Sequence, residues 1–136
     1  MSTSVAFPVT GPFSERRLLQ AAVALAACVP LLGGLAGVVG GARADNAAFD
    51  SHYRYLSGLL VGIGLTFWSL VPRIEQNGRL IQALTLIVVL GGIARLLALA
   101  LRGDPGIMGL ALAMELVVTP ALCLWQARVA RQHQPG

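Results

Sequence analysis

Residues 79–101 read RLIQALTLIVVLGGIARLLALAL, a run in which, past Arg79 at its edge, only Gln82, Thr85 and Arg95 are polar. As a helix rising 1.5 Å per residue it would be about 34 Å long, enough to cross the roughly 30 Å hydrocarbon core of a bilayer. No water is available there to take up backbone N–H and C=O groups, so a spanning segment of this kind has to be a helix. Three further apolar stretches of similar length lie at about 16–42, 53–72 and 106–127, separated by short polar connections. Short connections make successive helices antiparallel neighbours. The expected fold is therefore an all-α membrane protein, an antiparallel bundle of four transmembrane helices.

Composition agrees. The chain has 136 residues, 56% of them hydrophobic and 12% charged, and a mean hydropathy of +0.74, too apolar for an ordinary water-soluble domain. The net charge of +4 does not point to nucleic acid. Basic residues never cluster beyond Arg16-Arg17, and no basic patch is interleaved with aromatics. All ten basic residues are Arg.

Residues 1–15, with Pro8, Gly11 and Pro12, read as a flexible cytoplasmic N-tail, 16–127 as the four-helix domain and 128–136 as a cytoplasmic C-tail. Ala42-Arg43-Ala44 resembles a signal-peptide cleavage site, but the apolar run before it is far longer than the usual h-region. Six Arg (16, 17, 73, 79, 128, 131) fall on the side of the termini and three (43, 54, 102) on the other. By the positive-inside rule both termini face the cytoplasm, which for a bacterial protein means the inner membrane. Tyr53 and Tyr55 would mark the outer interface, Trp68 and Trp125 the inner one.

Between helices lipid supplies no hydrophobic drive, so close approach through small residues matters. Gly33, Gly37 and Gly41 form consecutive G-x-x-x-G steps on the first helix, and Gly58 and Gly62 form one on the second. These predict helix packing within the bundle, or else a first-helix interface for a second copy or a membrane-protein partner. Membrane lipids are the other expected company. Pro30 and Pro120 lie inside helices and should release carbonyls. Leu32-Gly33-Gly34-Leu35-Ala36 is echoed by Leu90-Gly91-Gly92-Ile93-Ala94, which would suit a repeated helical hairpin.

Two ionisable residues lie within the spans, Arg95 and Glu115. Each costs on the order of 2.5–3.5 kcal/mol to insert, so a partner is expected. Arg95 should lie about 9 Å and Glu115 about 14 Å below the outer edge. Helical Cα–Cβ bonds tilt toward the N-terminus, which aims Arg95 deeper and Glu115 back toward the surface, so the two converge. Arg54 shares a face with Gly58 and Gly62 and turns toward the bundle. A cluster of Arg54, Arg95 and Glu115 would carry surplus positive charge and call for an anion: Asp50, Asp104, or the head group of a lipid or anionic amphiphile. Tyr55, Ser57, Thr119 and His52 are possible accessories. The plainer reading is a pair, Arg95 with Glu115, that fixes helix register while Arg54 reaches to water.

Cys28 and Cys123 sit in apolar runs without partners at ligand spacing and read as packing residues. No metal-spaced His/Cys set, Ser/His/Asp arrangement or phosphate loop occurs, so neither catalytic residues, a metal nor a cofactor is predicted.

Tyr53–Gly58, Gly91–Leu97 and Glu115–Val118 with Pro120 and Trp125-Gln126, in that order and spacing, resemble the bacterial domain of unknown function 4345 family over residues 18–130. The resemblance implies a small four-helix membrane protein with no established biochemistry, and a family pattern that includes Arg54, Arg95 and Glu115. The leading expectation is a non-enzymatic accessory or interaction protein of a membrane complex. The alternative is a binder or carrier of a lipid or anionic amphiphile at the charge cluster.

Overall fold

A computed structural model describes residues 12–42, 45–103 and 108–132. The chain forms α1 (Pro12–Gly40), α2 (Ala47–Leu70), a 3-10 turn (Val71–Arg73), α3 (Gly78–Arg102), α4 (Met108–Ala113), a π turn (Met114–Val118) and α5 (Thr119–Gln132). The last three run on as one rod. Four helical segments result, each long and apolar enough to cross a membrane, and no strand occurs among the described residues. The protein is a multi-pass membrane protein. Its ends are called terminal (both termini and the 71–77 connection) and distal (the connections after α1 and α3).

The helix ends are locally encoded, and several of them lie beyond the apolar runs. α1 starts at Pro12, because a proline in the first turn has no N–H to leave orphaned and a φ already suited to the helix. The expected tail over 1–15 is therefore helical from residue 12, and residues 1–11 lie outside the described residues. At the other end, α5 continues to Gln132, into the expected C-tail. α1 and α3 both stop at a glycine in the left-handed region, Gly41 (φ 65°) and Gly103 (φ 75°), whose N–H bonds back to Gly37 O at 3.0 Å and Leu99 O at 2.8 Å. α2 begins earlier than its apolar run, at Ala47, since the Asn46 side chain accepts from the N–H groups of Ala48 (3.0 Å) and Phe49 (3.3 Å).

The helices pair as two hairpins. α1 lies along α2, and α4, the π turn and α5 lie along α3. The hairpins join through α1 with α5 and around the 71–77 connection. Leu19, Val23, Leu70, Ile74, Ile81, Leu84 and Val129 form the buried cluster there, at the terminal end of all four spans.

Polar groups bind this end together. The Arg16 guanidinium meets Glu75 at 3.0 Å and donates to Pro72 O at 3.0 Å. Gln20 donates to Val71 O and Gln126 to Ile74 O, both at 2.8 Å. Glu15 accepts from the Trp125 indole at 3.3 Å. α1 and α5 thus hold the 71–77 turn by its own carbonyls. In the distal half the story differs: α4 and the π turn make their principal contacts with α3, while Leu90, Ile93, Leu97, Leu110 and Val117 are exposed.

Candidate functional site

Arg95 and Glu115 meet. Arg95 Nε lies 3.1 Å from Glu115 Oε1, as the opposed tilt of their Cα–Cβ bonds requires. Arg95 is seven residues before the end of α3 at Arg102, and Glu115 seven after the start of α4 at Met108. Both therefore sit about 10 Å below the distal helix ends.

Two backbone features bring them together. Gly92, one turn before Arg95, lets the fourth span approach closely: a methyl group there would lie 2.8 Å from Leu116 Cδ2 and 3.0 Å from Glu115 Cβ. The second is the π turn that carries Glu115. Pro120 has no N–H and its ring crowds the carbonyl one turn back, so an α-helical turn cannot pass through it undisturbed. The backbone widens instead, with the Thr119 N–H bonded to Met114 O five residues back. The Thr119 hydroxyl donates to the same carbonyl at 2.8 Å. In this register the donor for Glu115 O would be Pro120, which has none. The carbonyl that the Pro120 of the sequence was expected to release is thus on Glu115 itself.

The pair is unevenly covered. The Glu115 side chain is 16% exposed and that of Arg95 43%. Glu115 Oε2 is buried and has no hydrogen-bond partner, a state it shares among the described residues with Thr85 Oγ1 and Gln126 Oε1.

Arg54 does not join this pair through any ionic contact. It pairs with Asp50 one turn earlier, Nε to Oδ2 at 2.8 Å, and donates to the last carbonyls of α1, Val38 O and, at 3.4 Å, Val39 O. Asp50 Oδ1 in turn accepts from Ala42 N–H at 2.8 Å. A guanidinium at a helix C-terminus satisfies orphan carbonyls and the negative end of the dipole. The expected three-residue cluster with surplus positive charge is thus two separate one-to-one pairs, and the premise for recruiting an anion falls away. Asp104 lies outside the described residues.

The glycine pattern is also redistributed. The residues that admit α2 against α1 are Gly34 and Gly37, together with Gly64. A methyl at Gly34 would lie 2.7 Å from Ser57 O and 2.8 Å from Val61 N, and one at Gly64 2.7 Å from Leu31 Cγ. Gly37 abuts the Ser57 side chain. Of the expected set, Gly33, Gly58 and Gly62 face open space and Gly41 is the helix cap. Gly37 is kept, but Gly34 stands beside it in place of Gly33 and Gly64 in place of Gly58 and Gly62, because G-x-x-x-G marks a row on one helix, while the crossing with its neighbour selects which residues are used. The first helix is accordingly occupied on its Gly34/Gly37 face by α2 rather than offering it to a partner.

Of the accessories, Ser57 is buried and donates to Tyr53 O at 2.8 Å, Thr119 braces the π turn, and Tyr55 and His52 are exposed. Trp68 donates to Ala24 O at 2.9 Å, so its polar edge is used across α1 and α2. Cys28 and Cys123 are unpaired thiols. No group of three or more His, Cys, Asp or Glu able to hold a metal ion occurs among the described residues. Gln126, Gly34 and Gly92 were not singled out by sequence reasoning. A carboxamide inside an apolar span was the available signal for the first, and the second glycine of each Leu-Gly-Gly echo for the others.

Four membrane-length helices in two hairpins, with one ion pair held at hydrocarbon depth, define a small polytopic membrane protein. The chain belongs to the family described as a domain of unknown function (DUF4345), which matches residues 18–126. Neither the curated proteins nor the solved structures offer a match.

Proposed function

We propose that this protein is a non-enzymatic interaction subunit of the bacterial cytoplasmic membrane, with both termini and the 71–77 turn in the cytoplasm. Its terminal half is a self-contained anchor. Its distal half is completed by another integral membrane protein. The observation that carries this reading is Arg95, 43% exposed about 10 Å inside the distal helix ends. Exposed leucines at that depth are solvated by lipid, whereas an exposed guanidinium costs on the order of 2.5–3.5 kcal/mol there unless it reaches the interface or a partner. Polar side chains that the chain itself leaves uncovered in hydrocarbon are the usual adhesive between transmembrane helices.

Native mass spectrometry of the protein released from its own membranes in mild detergent tests this. A stoichiometric complex with a second membrane protein is expected, and a monomer carrying lipid alone would overturn it. Orientation has its own check. In a background lacking Cys28 and Cys123, Ser51→Cys should react with a membrane-impermeant maleimide in intact spheroplasts, and Gln132→Cys only after lysis.

A further inference from the structure

We infer that the terminal end holds a docking site for the head group of an anionic phospholipid, centred on Arg79 in a groove between the start of α3 and the end of α5. The site depends neither on the proposed interaction role nor on which leaflet the terminal end faces. Charge distribution points there first. The whole net charge of +4 lies at the terminal end, where six arginines stand against Glu15 and Glu75. Toward the distal end, by sequence position, four arginines balance four acids. Both terminal acids are already engaged, Glu75 with Arg16 at 3.0 Å, and Glu15 with the Trp125 indole at 3.3 Å and Arg128 at 3.7 Å. Arg17, Arg73, Arg79 and Arg131 are exposed and have no acidic partner among the described residues.

Of these four, Arg79 is the one that lines a groove. About 470 Å³ in volume, it is bounded by the 71–77 turn and the first residues of α3 on one side and by Ala130 of α5 on the other. That is within the range of small-molecule sites. Its lining includes Glu75, Gln76, Arg79, Leu80 and Gln82. Arg16 neutralises Glu75, which leaves Arg79 as the uncompensated charge, and Gln76 and Gln82 add N–H donors. Depth names the occupant. α3 begins at Gly78, so Arg79 stands where a membrane span starts, in the layer of head groups. A phosphate meets it there without descending into hydrocarbon, and a planar guanidinium matches a phosphodiester through two parallel bonds. Below the groove, Ala83, Leu86 and Leu90 follow Arg79 at i+4, i+7 and i+11, and so share its face of α3. All three are exposed. This apolar row gives the acyl chains of the same molecule a track that a soluble anion would not use.

The test titrates the full-length protein, in mild detergent, with phosphatidylglycerol or with phosphatidylcholine of the same acyl chains, and counts bound lipid by native mass spectrometry. The first phosphatidylglycerol should bind roughly fivefold more tightly than phosphatidylcholine, the gain one basic residue gives against an anionic surface. In Arg79→Gln that preference should vanish. Gln82→Glu puts an uncompensated carboxylate into the groove from an exposed position, and should abolish the preference without disturbing the fold. Arg17→Gln and Arg131→Gln remove the same charge outside the groove and should keep most of the preference. Equal loss in all three arginine variants would leave only a diffuse basic surface and overturn the site, as would equal binding of the two lipids by the unaltered protein. Glycerophosphate, the same phosphate chemistry without acyl chains, should not displace the bound lipid at matched concentration; if it does, the occupant is a soluble anion and the lipid assignment falls. None of these outcomes changes with whether a partner subunit co-purifies, so this inference and the proposed function stand or fall separately.

Discussion

Each hairpin has an arginine paired with an acid toward its distal end, and the two pairs do different work. Arg54 and Asp50 sit one turn apart on the same helix, at the distal rim, and are spent on the last carbonyls and first free N–H after α1. Arg95 and Glu115 sit on opposite helices about 10 Å inside the rim and bridge them. The first pair is a cap that a local turn can build. The second exists only because Gly92 and the π turn bring two long helices into contact at one level. The same ionic chemistry is thus a termination device at the edge of the membrane and an interhelical bond within it.

The comparison breaks most visibly at the inner pair. Arg95→Leu or Glu115→Leu alone leaves a charge in hydrocarbon and should lower stability by on the order of 3 kcal/mol, whereas the double substitution should recover most of that loss. Unfolding in mixed micelles, monitored by circular dichroism, reads this. Equal losses for single and double variants would show that the pair is not coupled.

Next in size is the glycine register. Gly34→Ala sets a methyl group against backbone atoms of α2, which cannot yield as a side chain does, and should cost roughly 1–3 kcal/mol. Gly33→Ala meets nothing and, by exchanging glycine for a better helix former, should be neutral or slightly stabilising. The same contrast is expected between Gly92→Ala and Gly91→Ala, with Leu116 as the obstacle. Thermal midpoints for the four variants decide it, and identical behaviour within either Gly-Gly pair would refute the assigned packing rows.

Gly41→Ala is expected to cost about 1 kcal/mol through its left-handed φ of 65°. Smallest of all is Arg54→Gln, an exposed cap whose loss should fray the end of α1 without separating the hairpins. Hydrogen exchange should speed up at Gly41 and Ala42 and remain unchanged at Ile81 and Val129; faster exchange at the latter two would give Arg54 a global role.

Much of the fold was legible from residues 79–101 and the three runs like it, because hydropathy over some twenty residues is dictated by the bilayer and not by neighbours. The meeting of Arg95 with Glu115 was legible too. Antiparallel order and the tilt of Cα–Cβ bonds are properties of single helices, and together they aim these side chains at each other. Arg54 was misread for a complementary reason. Its alignment with Gly58 and Gly62 is real, but that row faces open space, and the carbonyls it binds belong to α1, fifteen and sixteen residues earlier in the chain. The Leu-Gly-Gly echo had more content than its composition suggested. In each hairpin the second glycine admits the following helix and the first faces outward.

The sequence by itself determined four spans, their antiparallel order and the need for Arg95 to find an acid. These follow from transfer into lipid and from backbone stereochemistry, which act residue by residue. Only the tertiary structure decided which glycine row carries the α1–α2 contact, that Arg54 caps rather than clusters, and that the shared core lies at the terminal half. Those depend on helix phase and crossing, which no single helix contains: lipid accepts every apolar face equally, so it is contact between helices that chooses among them.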